Sequence, residues 1–276
     1  MLKSLFVTIA AGLLFANANG QLRTPAQSPS QMVRQDFGIS SVELNYSRPS
    51  MKGRKIFGDL VPFNQVWRTG ANSATRLKFA DDVTIGGQAL KAGEYAIFTI
   101  PGEKEWEIIV NKGTANWGTD YKQDLDLFRF KVPSMMMTTP VESFTIQFAN
   151  VKGTTMDLQM MWDRTVVNIP ITVDVDKKIM GQIDQLMNKD NRPYFNAAMY
   201  YMDNNKDINQ ALAWFDKAVE ANPNAFYMHY QRAVALSKLG RKQEAMTASQ
   251  KSMQQAKDQG NADYVRLNEK LQVTLK

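Results

Sequence analysis

From Val42 to Asp176 the apolar residues fall on every second position. Phe144, Ile146 and Phe148 form one such series, Met156, Leu158, Met160 and Trp162 a second, and Val167, Ile169, Ile171, Val173 and Val175 a third. Successive side chains of a strand point to opposite faces, so this period predicts strands with one buried face. Turn signals at Gly86-Gly87, Ala92-Gly93, Pro101-Gly102 and Lys152-Gly153 separate runs such as EYAIFTI and WEIIVNK at hairpin spacing. No long amphipathic helical pattern interrupts them, which argues against βαβ crossovers and for an antiparallel sandwich or barrel. Pro170 has no N–H to give a ladder and predicts an edge or a bulge in the last run.

Beyond Lys178 the spacing becomes three and four. IMGQIDQLM, INQALAWFDKAVEANPN, AFYMHYQRAVALSKLG and RKQEAMTASQKSMQQAK read as helices, with Pro223 and Gly240 as stops. The expected fold is therefore α+β and multidomain: an all-β antiparallel sandwich over residues 32–177, then a small α-helical domain over 178–276. Residues 21–31, rich in Pro, Ser and Gln, read as a linker. Ahead of them, Lys3, an apolar run from Leu5 to Ala16 and small residues at Ala16, Ala18 and Gly20 give residues 1–20 the layout of a cleavable secretory signal. That run is short for a membrane span, so no span is expected after cleavage.

Composition narrows the chemistry. Hydrophobic residues at 44% and aromatics at 10% supply a packed core and argue against disorder. The net charge of +6 is modest and no long Lys/Arg tract carries it, so nucleic acid is not an expected partner. With no cysteine, thiol catalysis, disulfides and a lipid-modified Cys are all excluded, and the mature chain is expected in the periplasm or outside the cell, not as a lipoprotein. The 16 methionines, including Met135-Met136-Met137, read as core filling. His229 is the one histidine and lies on a predicted helix, so the β region holds no Ser/His/Asp triad and no histidine metal site. An interhelix packing or surface role is expected for it. Asp120, Asp124 and Asp126 do not match a calcium-loop spacing, and Asp124 and Asp126 read as the wet face of a strand. No catalytic residue, metal site or cofactor is assigned.

Two neighbouring stretches carry the candidate binding residues. RPSMKGRKIFG gathers Arg48, Lys52, Arg54 and Lys55, and NQVWRTGANSAT adds Trp67, Arg68 and Asn72. Guanidinium forks grip paired oxygens, so Arg48, Lys52, Arg54 and Arg68 are candidates to hold an anionic or sugar-like ligand, with Trp67 flooring the pocket and Asn72 beside it. A purely structural reading stands next to this one. In it the basic loop is solvated, Trp67 fills the core, Gly70 permits a turn and Asn72 bonds the loop backbone.

The Tyr46/Arg48/Pro49 group, Gly53-Arg54, Phe57-Gly58, Trp67-Arg68 with Gly70-Ala71-Asn72, Gly93 with Tyr95, Pro101-Gly102 and NWGTDY together resemble the DUF2911 family of exported bacterial proteins, common in the Bacteroidetes. The resemblance runs from about Val42 to Val175 and implies an exported β domain without implying an activity. ALAWFDKAVEANP resembles the second helix of a tetratricopeptide repeat, with Ala211, Phe215, Ala218 and Pro223 at that family's positions, and Ala245 follows Ala211 by 34 residues. Ser249 and Ser252 depart from the repeat pattern, so one fair and one degenerate repeat are expected. The functional expectation is an exported binding or scaffolding protein, whose helices hold a protein partner and whose β domain takes the anionic or carbohydrate-like ligand. The alternative is a carboxylate-dependent hydrolase acting on envelope glycan, drawing on Glu43, Asp59, Asp81, Asp82 and Asp120.

Overall fold

Hairpins build the first part of the chain. In the computed structural model, which describes residues 24–114 and 120–276, strand β1 (Ser30–Phe37) turns at Gly38 into β2 (Ser40–Ser47), and Gly38 has the positive φ such a tight turn needs. The expected signal at 1–20, the first residues of the linker, and residues 116–119 of the NWGTDY run lie outside the described residues. Further strands are β3 (Thr75–Phe79), β4 (Val83–Ile85), β5 (Gln88–Leu90), β6 (Gly93–Ile100), β7 (Glu105–Asn111), β8 (Asp126–Ala149) and β9 (Thr155–Val173).

They form one continuous sheet in the order β1-β2-β3-β6-β7-β8-β9-β4-β5, every neighbouring pair antiparallel. Strand β8 carries the sheet from one half to the other: residues up to Pro133 pair with β7, and those from Ser134 onward pair with β9. The chain beyond β2 then returns to β8, with Met51 N–H donating to the Glu142 carbonyl at 2.8 Å and Phe144 N–H to the Pro49 carbonyl at 2.8 Å. This joins β2, β3, β6, β7 and β8 into a ring of strands. Their inward alternate positions, among them Leu44, Leu77, Ile97, Ile108 and Phe144, are fully buried.

The period-two reading finds its physical cause here, because Met156, Leu158, Met160 and Trp162 are all buried along one face of β9. Pro170 falls between the stretch paired with β8, which ends at Val167, and the stretch paired with β4, which begins at Ile171, so its missing N–H leaves no ladder bond unmade. Core filling fails for the methionine run: Met136 is 82% exposed and Met135 45%, at a register break of β8 between Met136 and Val141. The bulge turns those side chains outward.

The chain divides into two compact units between Asp174 and Val175. The second unit contains α1 (Asp176–Leu186), α2 (Tyr194–Asp203), α3 (Ile208–Ala221), α4 (Phe226–Lys238), α5 (Lys242–Asp258) and α6 (Ala262–Leu275). Helices α2 with α3 and α4 with α5 are successive hairpins, and α6 follows. Their seam is rich in small residues, with Ala198, Ala211, Ala233 and Ala245 all fully buried around Phe215 and Leu236. Small side chains at the contact let helix axes approach closely. None of the described helices is long and apolar enough to cross a membrane.

Candidate functional site

Residues 64–75 close the long connection from β2 into β3, and they plug the ring. Trp67 exchanges both backbone bonds with Thr99 of β6, at 2.7 and 2.9 Å. Its indole stacks on Trp162 at 5.9 Å with 17° between planes, and meets Phe144 at 5.0 Å and Trp106 at 6.1 Å edge-on. Its N–H donates to the Gly70 carbonyl at 3.2 Å. To bring Trp67 inward the backbone turns sharply, with positive φ at Asn64, Thr69, Gly70 and Asn72. At Gly70 a Cβ would stand 3.0 Å from the Ser47 carbonyl oxygen at φ +145°, which explains glycine there. Thr69 and Thr75 are buried and complete the turn: Thr75 donates to the Thr69 carbonyl at 2.5 Å, and the Thr69 and Thr99 hydroxyls lie 3.2 Å apart.

The six candidate binding residues take mostly internal partners. Arg48 is half-buried and donates from Nε to the Phe144 carbonyl at 3.2 Å, from Nη1 to Gln31 Oε1 at 3.1 Å and from Nη2 to Thr145 Oγ1 at 2.8 Å. Arg54 donates to the Met51 and Ser50 carbonyls of its own turn at 2.9 and 2.7 Å. Arg48 thereby ties the segment after β2 to β1 and β8, while the exposed Arg54 holds its own turn. Lys52 is exposed, gives its backbone N–H to Glu142 at 2.9 Å and points its ammonium at Gln27. Arg68 donates to the Asn72 carbonyl at 3.1 Å, and Asn72 donates to the Ser28 carbonyl at 3.2 Å and Ser47 Oγ at 3.3 Å. The loop thus gathers Trp67, Arg68 and Asn72, while Arg48 belongs to the β1–β2–β8 junction. Of the carboxylates considered for hydrolysis, Asp81 accepts from Ser40 at 2.8 Å and Asp82 pairs with Lys91 at 2.8 Å.

A polar knot that sequence reading placed on a wet strand face lies at the start of β8. The Asp126 side chain is only 10% exposed. It accepts from Arg129 Nη2 at 2.7 Å, from the Tyr121 hydroxyl at 2.7 Å and from Asn111 Nδ2 at 2.7 Å. Arg129 also reaches Glu107 at 3.4 Å. Burial, reinforced by the bond to Asp126, pushes the Tyr121 phenol up to about 12. The bulge between Val110 and Asn111 turns Asn111 to this cluster, and a bulge is not visible as a period. Every charge in the knot has an opposite partner, and the knot ties Asn111 and Tyr121 to the start of β8.

In the helical unit, a cleft of about 300 Å³ opens where α2 begins, α3 ends and α4 begins. Its walls include the rings of Tyr194, Phe195 and Tyr227 and the polar ends of Arg192, Asn196 and Asn222. Phe195 is anchored on Phe215 at 5.9 Å and holds Tyr227 edge-on at 5.4 Å, leaving Tyr227 38% exposed. Sequence reading passed over α2 and α6. The available signals were Pro193 just ahead of an apolar period at Phe195, Ala198, Met199 and Met202, and the Asn261 cap, which accepts from Tyr264 N–H at 3.1 Å. His229 is 4% exposed, and its Nε2 lies 2.9 Å from the Pro223 carbonyl, an acceptor, so Nε2 carries the proton it donates. Burial lowers its pKa.

Comparison with known proteins supports this division. A family model described as a protein of unknown function, DUF2911, matches residues 28–171, and a tetratricopeptide-repeat model matches residues 192–225, which cover α2 and α3. No curated protein and no solved structure matches the chain. With more than half of its length matched, from the strand before Gly38 to the end of the sheet, the chain belongs to the DUF2911 family.

Proposed function

We propose that this chain is an exported, non-catalytic scaffolding protein whose tetratricopeptide-like helices hold a protein partner. One observation carries the reading: the repeat match over residues 192–225 falls on the helices that frame an open, ring-lined cleft. Stacked helix hairpins of this kind bury one face on each other and leave another as a ready-made docking surface. Exposed aromatic side chains on a rigid support are what such surfaces use for affinity, and Tyr227 is held that way by Phe195. The basic-led apolar run at residues 3–20 supports export. In the β unit, Arg68, Trp67 and Asn72 remain the candidates for a small anionic or sugar-like ligand.

The test is co-purification of the full chain from the native envelope fraction, followed by mass spectrometry, beside a Tyr227→Ala variant with unchanged melting. Recovery of one reproducible protein by the parent chain and its loss from the variant is the expected outcome. Equal recovery by both, or none by either, overturns the docking role of this cleft.

A further inference from the structure

The cleft at the α2, α3 and α4 junction has a chemical bias that names its partner more closely, and the inference rests on the docking reading above. We infer that it takes a peptide segment in which a carboxylate side chain stands next to an apolar or aromatic one. Four features of the site point to this. Its lining contains a cation, Arg192, and no Asp or Glu. The guanidinium is exposed; Nε donates to the Lys189 carbonyl at 3.1 Å and Nη1 to the Tyr194 hydroxyl at 3.1 Å, which fixes the plane of the fork and leaves Nη2 free to donate. Among the described residues no carboxylate is paired with Arg192. The carboxamides of Asn196 and Asn222 stand on the same walls, neutral groups that bond a carboxylate or a peptide amide equally well, and both are exposed.

The rings decide the rest. Phe195, Tyr194 and Tyr227 give the cleft an apolar floor, and a volume of about 300 Å³ takes one or two side chains, not a folded domain. A bare anion would leave those rings wet, and a purely apolar segment would set a guanidinium against hydrocarbon with no counter-charge. A segment with both groups satisfies both walls. Charge complementarity also opposes basic segments, because Arg192 is the one charged side chain of the lining.

Three end-blocked, fluorescein-labelled peptides test this by anisotropy against the full chain: Gly-Ser-Asp-Leu-Phe-Glu-Ser-Gly, its counterpart with Asn and Gln for Asp and Glu, and its counterpart with Ala for Leu and Phe. The first binds at least about tenfold more tightly than either of the others, the range a partly exposed charge-assisted bond and one buried ring supply. Arg192→Gln removes the preference for the acidic peptide over its amide counterpart, and Arg192→Lys keeps part of it. Melting of both variants stays at the parent value, since the side chain is exposed. Equal binding of the acidic and amide peptides, lost in Tyr227→Ala, overturns the acidic partner while leaving the docking surface standing. Binding of none of the three at about 1 mM, a Kd weaker than roughly −4 kcal/mol of association, also overturns it, and the co-purification then decides the docking role separately.

Discussion

Arg48 is the sharpest test of whether the basic segment after β2 serves the fold or a ligand. Arg48→Met keeps most of the apolar stem and removes three donors. Of the acceptors left behind, Gln31 Oε1 still receives the Tyr46 hydroxyl at 2.9 Å, and Thr145 Oγ1 still donates to the Ser143 carbonyl at 2.9 Å. The Phe144 carbonyl loses the Nε donor given to it at 3.2 Å. Bonds from a charged donor contribute roughly 1.5–3 kcal/mol each when buried and less when water can reach them, so three bonds at a half-buried site sum to about 2–3 kcal/mol. For a unit of this size that lowers the melting temperature by about 5–10 °C. Arg54→Met is the control: its two bonds cap its own exposed turn, and its loss costs below about 1 kcal/mol. Urea unfolding of the parent and both variants, read by tryptophan fluorescence, measures the difference. A loss below about 0.5 kcal/mol for Arg48→Met, or equal losses for the two, would refute the strut assignment.

Three further outcomes follow from the same structure. Trp67→Leu removes a ring that contacts Trp162, Phe144 and Trp106, and costs about 2–4 kcal/mol with loss of near-ultraviolet circular dichroism from the indole pair; an unchanged spectrum would show the stack to be absent in solution. The Tyr121 phenol, held near 12, ionises above its ordinary value of 10.0, so the folded state binds the extra proton in that window and stability falls as pH rises from about 10 to about 12; Tyr121→Phe removes the latest-titrating phenolate absorbance, and an unchanged alkaline titration curve would count against the knot. His229 has its pKa lowered from 6.5, so the unfolded chain binds the proton first and stability falls as pH drops below 6.5; proton NMR of an untagged chain follows this one imidazole directly, and a midpoint at or above 6.5 would contradict its burial.

The alternation in β9 was legible because both of its requirements, a pleat and a buried face, act residue by residue on the same strand. The same holds for Phe144 and Ile146 of β8. What lay beyond that reading is non-local. Asp126 looks like a wet-face residue until the Asn111 bulge of β7 is placed against it, across the sheet from Arg129 of its own strand. Arg48 looks like a free cation beside Lys52 and Arg54, and only the return of the chain to β8 shows its fork facing Phe144 and Thr145. Trp67 carried two readings, core and cleft, and the choice between them turns on Trp106 and Trp162, which lie far along the chain. In the helical unit, the alanine spacing located the seam, whereas α2 carried a helical period at Phe195, Ala198, Met199 and Met202 that sequence reading did not use.

The departures at Ser249 and Ser252 have a physical reason that bears on where a partner docks. Two hydroxyls buried at positions that a repeat fills with apolar residues would each cost about 1–3 kcal/mol if left unpaired. They are not: Ser249 donates to Asn268 Oδ1 at 2.9 Å, Asn268 Nδ2 donates to Ser252 Oγ at 2.9 Å, Ser252 donates to the Phe226 carbonyl at 2.8 Å, and Gln272 donates to Ser249 Oγ at 3.1 Å. Asn268 is itself fully buried and belongs to α6. An apolar seam accepts any helix of suitable size, but this one accepts a helix that brings a carboxamide to one depth and register. Helix α6 therefore covers that face of α5 by a directional match, and the face does not serve as a general docking surface. The opening at α2, α3 and α4, by contrast, keeps the exposed polar ends of Arg192, Asn196 and Asn222 around its rings, and that asymmetry between the two ends of the hairpin stack is why the cleft is the place to look for a partner.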